Sequence, residues 1–194
     1  MQRLKGKRLG LFRIVGAAAV AAALPDSASA CRMFVSPRLE DVSYADVVVV
    51  GRIANYRIIR DEAFRKQMLA LPNLSADMRK FYADPAKGLI SDYARFDIQV
   101  EETLFGNASQ KLSVTWDNST FGEPDEIAPG RYLLALRRSS SASPPLRGPS
   151  ATILPNPDPE ALTLLQAPCS SAFLYEIQSN EARTIREILQ KQHQ

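Results

Sequence analysis

The sequence predicts a mainly β domain, a small barrel or sandwich, behind an N-terminal export signal. Three observations carry the prediction. Four short stretches are either β-branched and apolar or alternate apolar with polar residues, and turn residues separate them. The residues left after the signal, about 164, are one domain's worth and can bury one core. Hydrophobic residues make up 45% of the chain, yet no stretch is long and apolar enough to span a bilayer.

The export signal comes first in the chain. Residues 1–13 carry Arg3, Lys5, Lys7, Arg8 and Arg13 and no acid. Ile14–Leu24 ("IVGAAAVAAAL") is uncharged, Pro25 breaks it, and Ala28-Ser29-Ala30 supplies small residues before Cys31. A basic start, a short apolar stretch and an A-x-A site are the parts of a secretory signal peptide. As helix the apolar stretch rises only about 16 Å, against roughly 30 Å of hydrocarbon. The expected cut falls between Ala30 and Cys31, dividing the chain into a 1–30 signal peptide and a mature chain expected in the periplasm or outside the cell. The mature chain carries no transmembrane segment.

The cut changes the charge. The full chain has 24 Lys+Arg and 21 Asp+Glu, formally +3. Taking away the five bases above and Asp26 leaves 24 − 5 = 19 bases and 21 − 1 = 20 acids, or −1. The basic balance belongs to the targeting segment, which removes the electrostatic argument for nucleic acid as partner. Tyr56, Arg57, Arg60, Tyr93, Arg95 and Phe96 combine bases with aromatics, but on an exported chain of this charge they do not make a nucleic-acid groove.

The elements follow in order. Ser36-Pro37 before Arg38, Leu39, Val42 and Ala45 predicts an N-cap, a first-turn Pro and a short helix. "ADVVVVGRI" (Ala45–Ile53) predicts a central strand, with Gly51 at a bulge or bend. In "RFDIQVEETLFG" (Arg95–Gly106), Phe96, Ile98 and Val100 face one way and Asp97, Gln99 and Glu101 the other. Gly106-Asn107 turns the chain into "KLSVTW" (Lys111–Trp116), whose Trp116 is assigned to the core. "RYLLALR" (Arg131–Arg137) is a fourth strand and Phe173–Ile177 a further one.

Three segments interrupt this pattern inside a barrel domain taken as 31–178. Residues 61–92 predict a helical insertion, one helix over Asp61–Leu71 with Phe64, Met68 and Leu71, a second over Ala76–Ala83 capped by Ser75. Residues 138–159 hold six of the thirteen prolines and predict an exposed Pro/Ser-rich loop. Residues 179–194 predict an amphipathic C-terminal helix capped by Asn180, with Ala182, Ile185, Ile188 and Leu189 as the stripe that packs on the barrel.

Two cysteines remain after the cut, Cys31 and Cys169. In an oxidising compartment a bridge between them is expected. It would close a loop of 139 residues, which the chain-entropy account values at about 5 kcal/mol as an upper figure. The competing fate is acylation of Cys31 in a lipid-anchored envelope protein. Lipoprotein sites usually place Leu three residues before the Cys, where this chain has Ala28.

Little in the ionisable inventory supports catalysis. The one imidazole is His193, next to the last residue, so no Ser-His-Asp or Cys-His relay is expected. No Cys/His cluster has metal-ligand spacing, and the glycines are scattered singly rather than gathered in a phosphate loop. Glu101 and Glu102 occupy adjacent strand positions and point to opposite faces, so they form no carboxylate dyad. The expectation is no enzyme, no cofactor and no metal. Asn73, Asn107 and Asn118 fit the glycosylation pattern, which matters only in a glycosylating host.

Taken together, a leading Cys, a short helix, "ADVVVVGRI", "FDIQVEETLFGN", "PGRYLLALR" and "APCSSAFLY" resemble the N-terminal domain of the tissue inhibitors of metalloproteinases and the secreted bacterial proteins sharing that netrin-like barrel. The similarity covers about 90 residues of the mature chain and lies in pattern and order. It implies a five-stranded, partly open Greek-key barrel of the oligonucleotide/oligosaccharide-binding type. The family's inhibitors lay the α-amino group and carbonyl oxygen of their first Cys on a protease's zinc, and Cys31 holds that position here. The chain departs from them in having Met33 where they have a second Cys and the bulky Arg32 where they have a small residue.

The function expected is an exported, non-enzymatic protein-binding module with an unknown protein partner. Its interaction surface is expected on the N-terminal ridge (Cys31, Arg32, Met33, Phe34) and on the insertion around Phe64, Met68, Phe81 and Tyr82. Inhibition of a zinc metalloprotease through the free N-terminus of Cys31 is the alternative.

Overall fold

The computed structural model describes residues 34–89, 91–117, 123–147 and 158–192. The predicted export signal, the ridge residues Cys31, Arg32 and Met33, Asn118 and His193 lie outside the described residues.

Strands β1 (Val47–Ile59), β2 (Tyr93–Phe105), β3 (Lys111–Asp117), β4 (Tyr132–Arg138) and β5 (Leu162–Leu164) pair in the order β1-β2-β3-β5-β4, and β4 pairs again with β1. The ring is therefore closed. Its neighbours are antiparallel except β3 and β5, which run parallel, Val114 opposite Leu162. A sixth strand, β6 (Leu174–Glu176), lies against β4 outside the ring. The result is a mainly β protein built on an OB-like barrel.

Apolar side chains fill two layers, which explains the run of four valines. Val47 and Val49 point into the barrel with Phe96, Ile98, Val114, Leu134 and Leu136. Val48 points outward, into a second core with Leu133, Ala135, Leu165 and Phe173. A strand covered on both faces needs apolar residues at every position. The outer cover is a 3-10 helix, Leu39–Tyr44, and the helix α3, Asn180–Gln192. Ala182, Ile185 and Leu189 of α3 are buried in that second core, with Ile188 packed beside them, so the predicted stripe does lie on the barrel.

Two glycines are fixed by close approach. β1 shifts register between Val50 and Gly51, and a Cβ at Gly51 would overlap the carbonyl oxygen of Gln99 on β2. Gly106 adopts φ +72°, and a side chain there would strike the backbone of Asp46. Both act as the sequence predicts, one at a bulge and one at a turn.

Several expectations are corrected. The barrel is closed and mixed rather than partly open and antiparallel: β4 pairs back onto β1, and the ring takes in Leu162–Leu164, which runs parallel to β3, while the strand expected within Phe173–Ile177 does form, as β6, outside the ring. Three residues give too little alternation to announce a strand; pairing with β3 on one side and β4 on the other makes it one. The first helix begins at Leu39 and not at Pro37. Arg38 is extended, with no side-chain cap, and the six residues form 3-10 turns. The α3 cap is Ser179, whose Oγ accepts from the Ala182 N–H at 3.1 Å; Asn180 is the first helical residue. The Pro/Ser-rich loop, described over 138–147 and 158–159, is largely exposed as expected, and Arg147 ties it to the 3-10 helix by gripping both carboxylate oxygens of Asp41, one at 2.6 Å.

Candidate functional site

The helical insertion joins the end of β1 to the start of β2 as two short helices, α1 (Glu62–Leu69) and α2 (Ala76–Ala83). Each starts on a side-chain cap. Asp61 accepts from the Phe64 N–H at 2.9 Å, and Ser75 accepts from the Met78 N–H at 3.3 Å, as its position in the sequence predicts. The far end of α1 is closed from α2: Arg79 donates to the carbonyls of Leu69 at 2.8 Å and Leu71 at 3.3 Å. α1 and α2 pack chiefly on one another.

What ties this pair to the barrel is an ionic hub that the sequence did not announce. Asp92, just before β2, is buried and accepts from the backbone N–H groups of Asp61 and Leu89, both at 2.8 Å, and from Arg60 at 3.1 Å. The guanidinium of Arg65, buried in α1, stands 3.5 Å from the same carboxylate. It also donates to the backbone carbonyls of Asp84, at 3.2 Å, and Lys87. Burial alone would raise the Asp92 pKa. The Asp61 and Leu89 N–H donors and the Arg60 and Arg65 charges outweigh it and hold the carboxyl below its usual value. Arg65 and Asp92 sit 27 positions apart in a polar segment, and nothing in their neighbourhoods distinguished them from solvated charges.

The predicted surface residues divide on this scaffold. Phe64 meets Tyr82 edge-on with centroids 6.2 Å apart, and Tyr82 meets Phe81 at 5.4 Å. Phe64, Met68 and Tyr82 are half-buried, and the Phe64–Tyr82 pair lies in the helix–helix contact. Phe81 is 37% exposed, and beside it in the same insertion Leu71 and Met78 are 43% and 41% exposed. Leu71 and Met78 were not singled out from the sequence as surface residues; the apolar positions of α2 alone do not say which of them its partner helix covers. Phe34, of the N-terminal ridge, is 51% exposed.

The segment after the ridge is fixed in place. The Val35 N–H donates to the Cys169 carbonyl at 2.9 Å, and Cys169 itself is buried, at φ +64°, in the turn between β5 and β6. That turn is in turn held to β3: Gln166 accepts from the Trp116 indole at 3.1 Å and donates to the Ser170 carbonyl at 2.6 Å. Trp116 is buried, in the core position expected of it.

A third region carries perturbed acids. Asp117 and Glu123 flank residues 118–122, and each has a buried carboxylate oxygen without a hydrogen-bond partner among the described residues. Burial raises the Asp117 pKa to about 6 against the pull of Thr163, Arg137 and Thr115. Burial likewise raises Glu123 to about 7, with the negative charges of Asp92 and Asp117 adding to the effect. Among the described residues no group of three or more His, Cys, Asp or Glu side chains could hold a metal ion. No helix among them is long and apolar enough to cross a membrane.

Comparison of the sequence with models of known protein families gives no match, and comparison with curated proteins finds no relative. The class that the coordinates define is thus structural: a closed five-stranded OB-like barrel with a sixth strand, a helical insertion and a C-terminal helix.

Proposed function

We propose that this chain is an exported, non-enzymatic protein-binding module of netrin-like type, and that it meets its partner through the helical insertion and the N-terminal ridge. One observation carries the reading: Leu71, Met78 and Phe81 are all exposed in one helical insertion that a buried ion pair fixes to the barrel. Large apolar side chains on a rigid platform lose little entropy when covered, which is the economy a binding surface needs. Export and cleavage before Cys31 belong to the same reading, and the Val35–Cys169 hydrogen bond supports a Cys31–Cys169 bridge, since Val35 follows Cys31 by only four residues in the chain.

The test is a photoreactive residue placed at Met78 or at Phe81 in the exporting cell. A discrete crosslinked protein from both positions, absent when the probe sits at Gln99 on the barrel wall, is the expected result. Absence of any discrete product from both positions would overturn the reading.

The Val35–Cys169 contact also favours a second reading, inhibition of a zinc metalloprotease by the free amine of Cys31. A bridge at Cys31 would hold the amine and carbonyl donors ready for a metal. One extra residue before Cys31 displaces the amine and abolishes such inhibition. If the protein with a free Cys31 amine inhibits no zinc protease in a panel, this reading fails while the helical surface stands.

A further inference from the structure

We infer that the outer face of β1, β2 and β3 carries a binding site for an oxyanion, a carboxylate or phosphate group, centred on Arg57 and Arg95. A pocket of about 220 Å³ opens there, lined by Asn55, Arg57, Arg95, Asp97 and Ser113 with Phe96 beneath. Its walls are almost wholly polar.

The two arginines are directly opposed across the β1–β2 pair. Like charges in that position repel, so folding alone gives no reason to place them there. The arrangement depends on an extra residue. Ala54 pairs with Asp97 and Arg57 with Arg95, so Asn55 and Tyr56 together oppose Phe96 alone. A regular ladder would set Tyr56 opposite Arg95 and Arg57 opposite the buried Ala94. The bulge instead turns the Tyr56 ring inward onto Phe96, centroids 5.8 Å apart, and brings Arg57 out beside Arg95. It needs Asn55 at φ +56°, a conformation Asn tolerates better than most residues.

The charges around the pocket do not balance. Arg95 pairs with Asp158 at 3.4 Å, and Asp97 is engaged by Asn55 at 2.7 Å and Lys111 at 3.0 Å. Arg57 makes no ion pair or side-chain hydrogen bond among the described residues. Among the described residues three cations face two carboxylates; Arg57 acts on Asp97 only through space, so its guanidinium, whose fork matches an oxyanion, keeps its donors for a ligand. The Ser113 hydroxyl and the ring of polar groups beside it suit an anionic group carried on a hydroxylated frame.

Nitrogen-15 NMR of the whole processed protein tests this at constant ionic strength, with inorganic phosphate in one titration and glucuronate in another. Saturable shifts of the Asn55 side-chain amide and the Arg57 and Arg95 Nε–H signals are expected with at least one of them. Whichever saturates at lower concentration identifies the phosphate or the carboxylate source. Arg57→Gln should weaken that binding at least fivefold while Lys87→Gln, in the insertion, leaves it unchanged. Shifts that rise linearly with both anions, or saturation that Arg57→Gln does not weaken, would overturn the site.

Discussion

The Arg65 guanidinium and the Asp92 carboxylate face each other at 3.5 Å, both buried, and between them they close the 61–92 insertion at its base. Arg65 holds the returning chain by two carbonyls, and Asp92 holds the outgoing chain by the Asp61 N–H. Removing one partner of a buried pair leaves the other charge uncompensated.

Asp92→Asn should therefore destabilise the protein by on the order of 3 kcal/mol. Hydrogen exchange should quicken first in α1 and α2, before the barrel strands. Urea unfolding and exchange mass spectrometry check this together. Uniform exchange across the molecule would count against the hub.

Glu123 and Asp117 should make stability fall as pH rises. Their folded-state pKa values, about 7 and about 6, lie above the ordinary carboxyl values of 4.5 and 3.8. The folded state therefore binds more protons than the unfolded chain between about pH 4 and 7, and ionising them on the way up costs stability. Asp92 has the opposite sign: its lowered pKa contributes stability that is present above about pH 4 and is lost as pH falls below it. Glu123→Gln should flatten the decline between pH 5 and 8, read from melting temperature at each pH.

Ser179→Ala should cost about 1 kcal/mol through the lost cap, and Asn180→Ala only a few tenths. Ile185→Ala, in the outer core, should cost about 2–5 kcal/mol. Urea titrations of the three variants rank them. An Asn180→Ala cost equal to that of Ser179→Ala would contradict the cap assignment.

Arg57→Gln should be neutral or stabilising, by up to about 1 kcal/mol, since it removes a like-charge cross-strand pair. A clear loss of stability would mean that the guanidinium supports the fold.

The residues show what could be read in advance and why. The four long strands, the valine run, Gly51, Gly106 and the Ser75 cap were legible because period, β-branching and turn chemistry are local. The fifth barrel strand was not, since Leu162–Leu164 has its meaning only from neighbours that the chain order does not supply. The Arg65–Asp92 hub and the Arg57–Arg95 opposition escaped for the same reason. The first joins positions 27 apart, and the second exists through a bulge whose Asn-Tyr sequence carries no glycine to mark it. The spacing of apolar residues on α1 and α2 also does not reveal that the rings of Phe64 and Tyr82 meet between the two helices.

The account's central claim is that Cys31 leads an exported chain and is tied by sulfur to Cys169. Intact mass of the protein recovered from outside the cytoplasm, measured before and after reduction, tests it most directly. The account predicts a chain beginning at Cys31 that gains two hydrogens on reduction. An uncut chain with two free thiols, or a lipid-sized increment on Cys31, would contradict it.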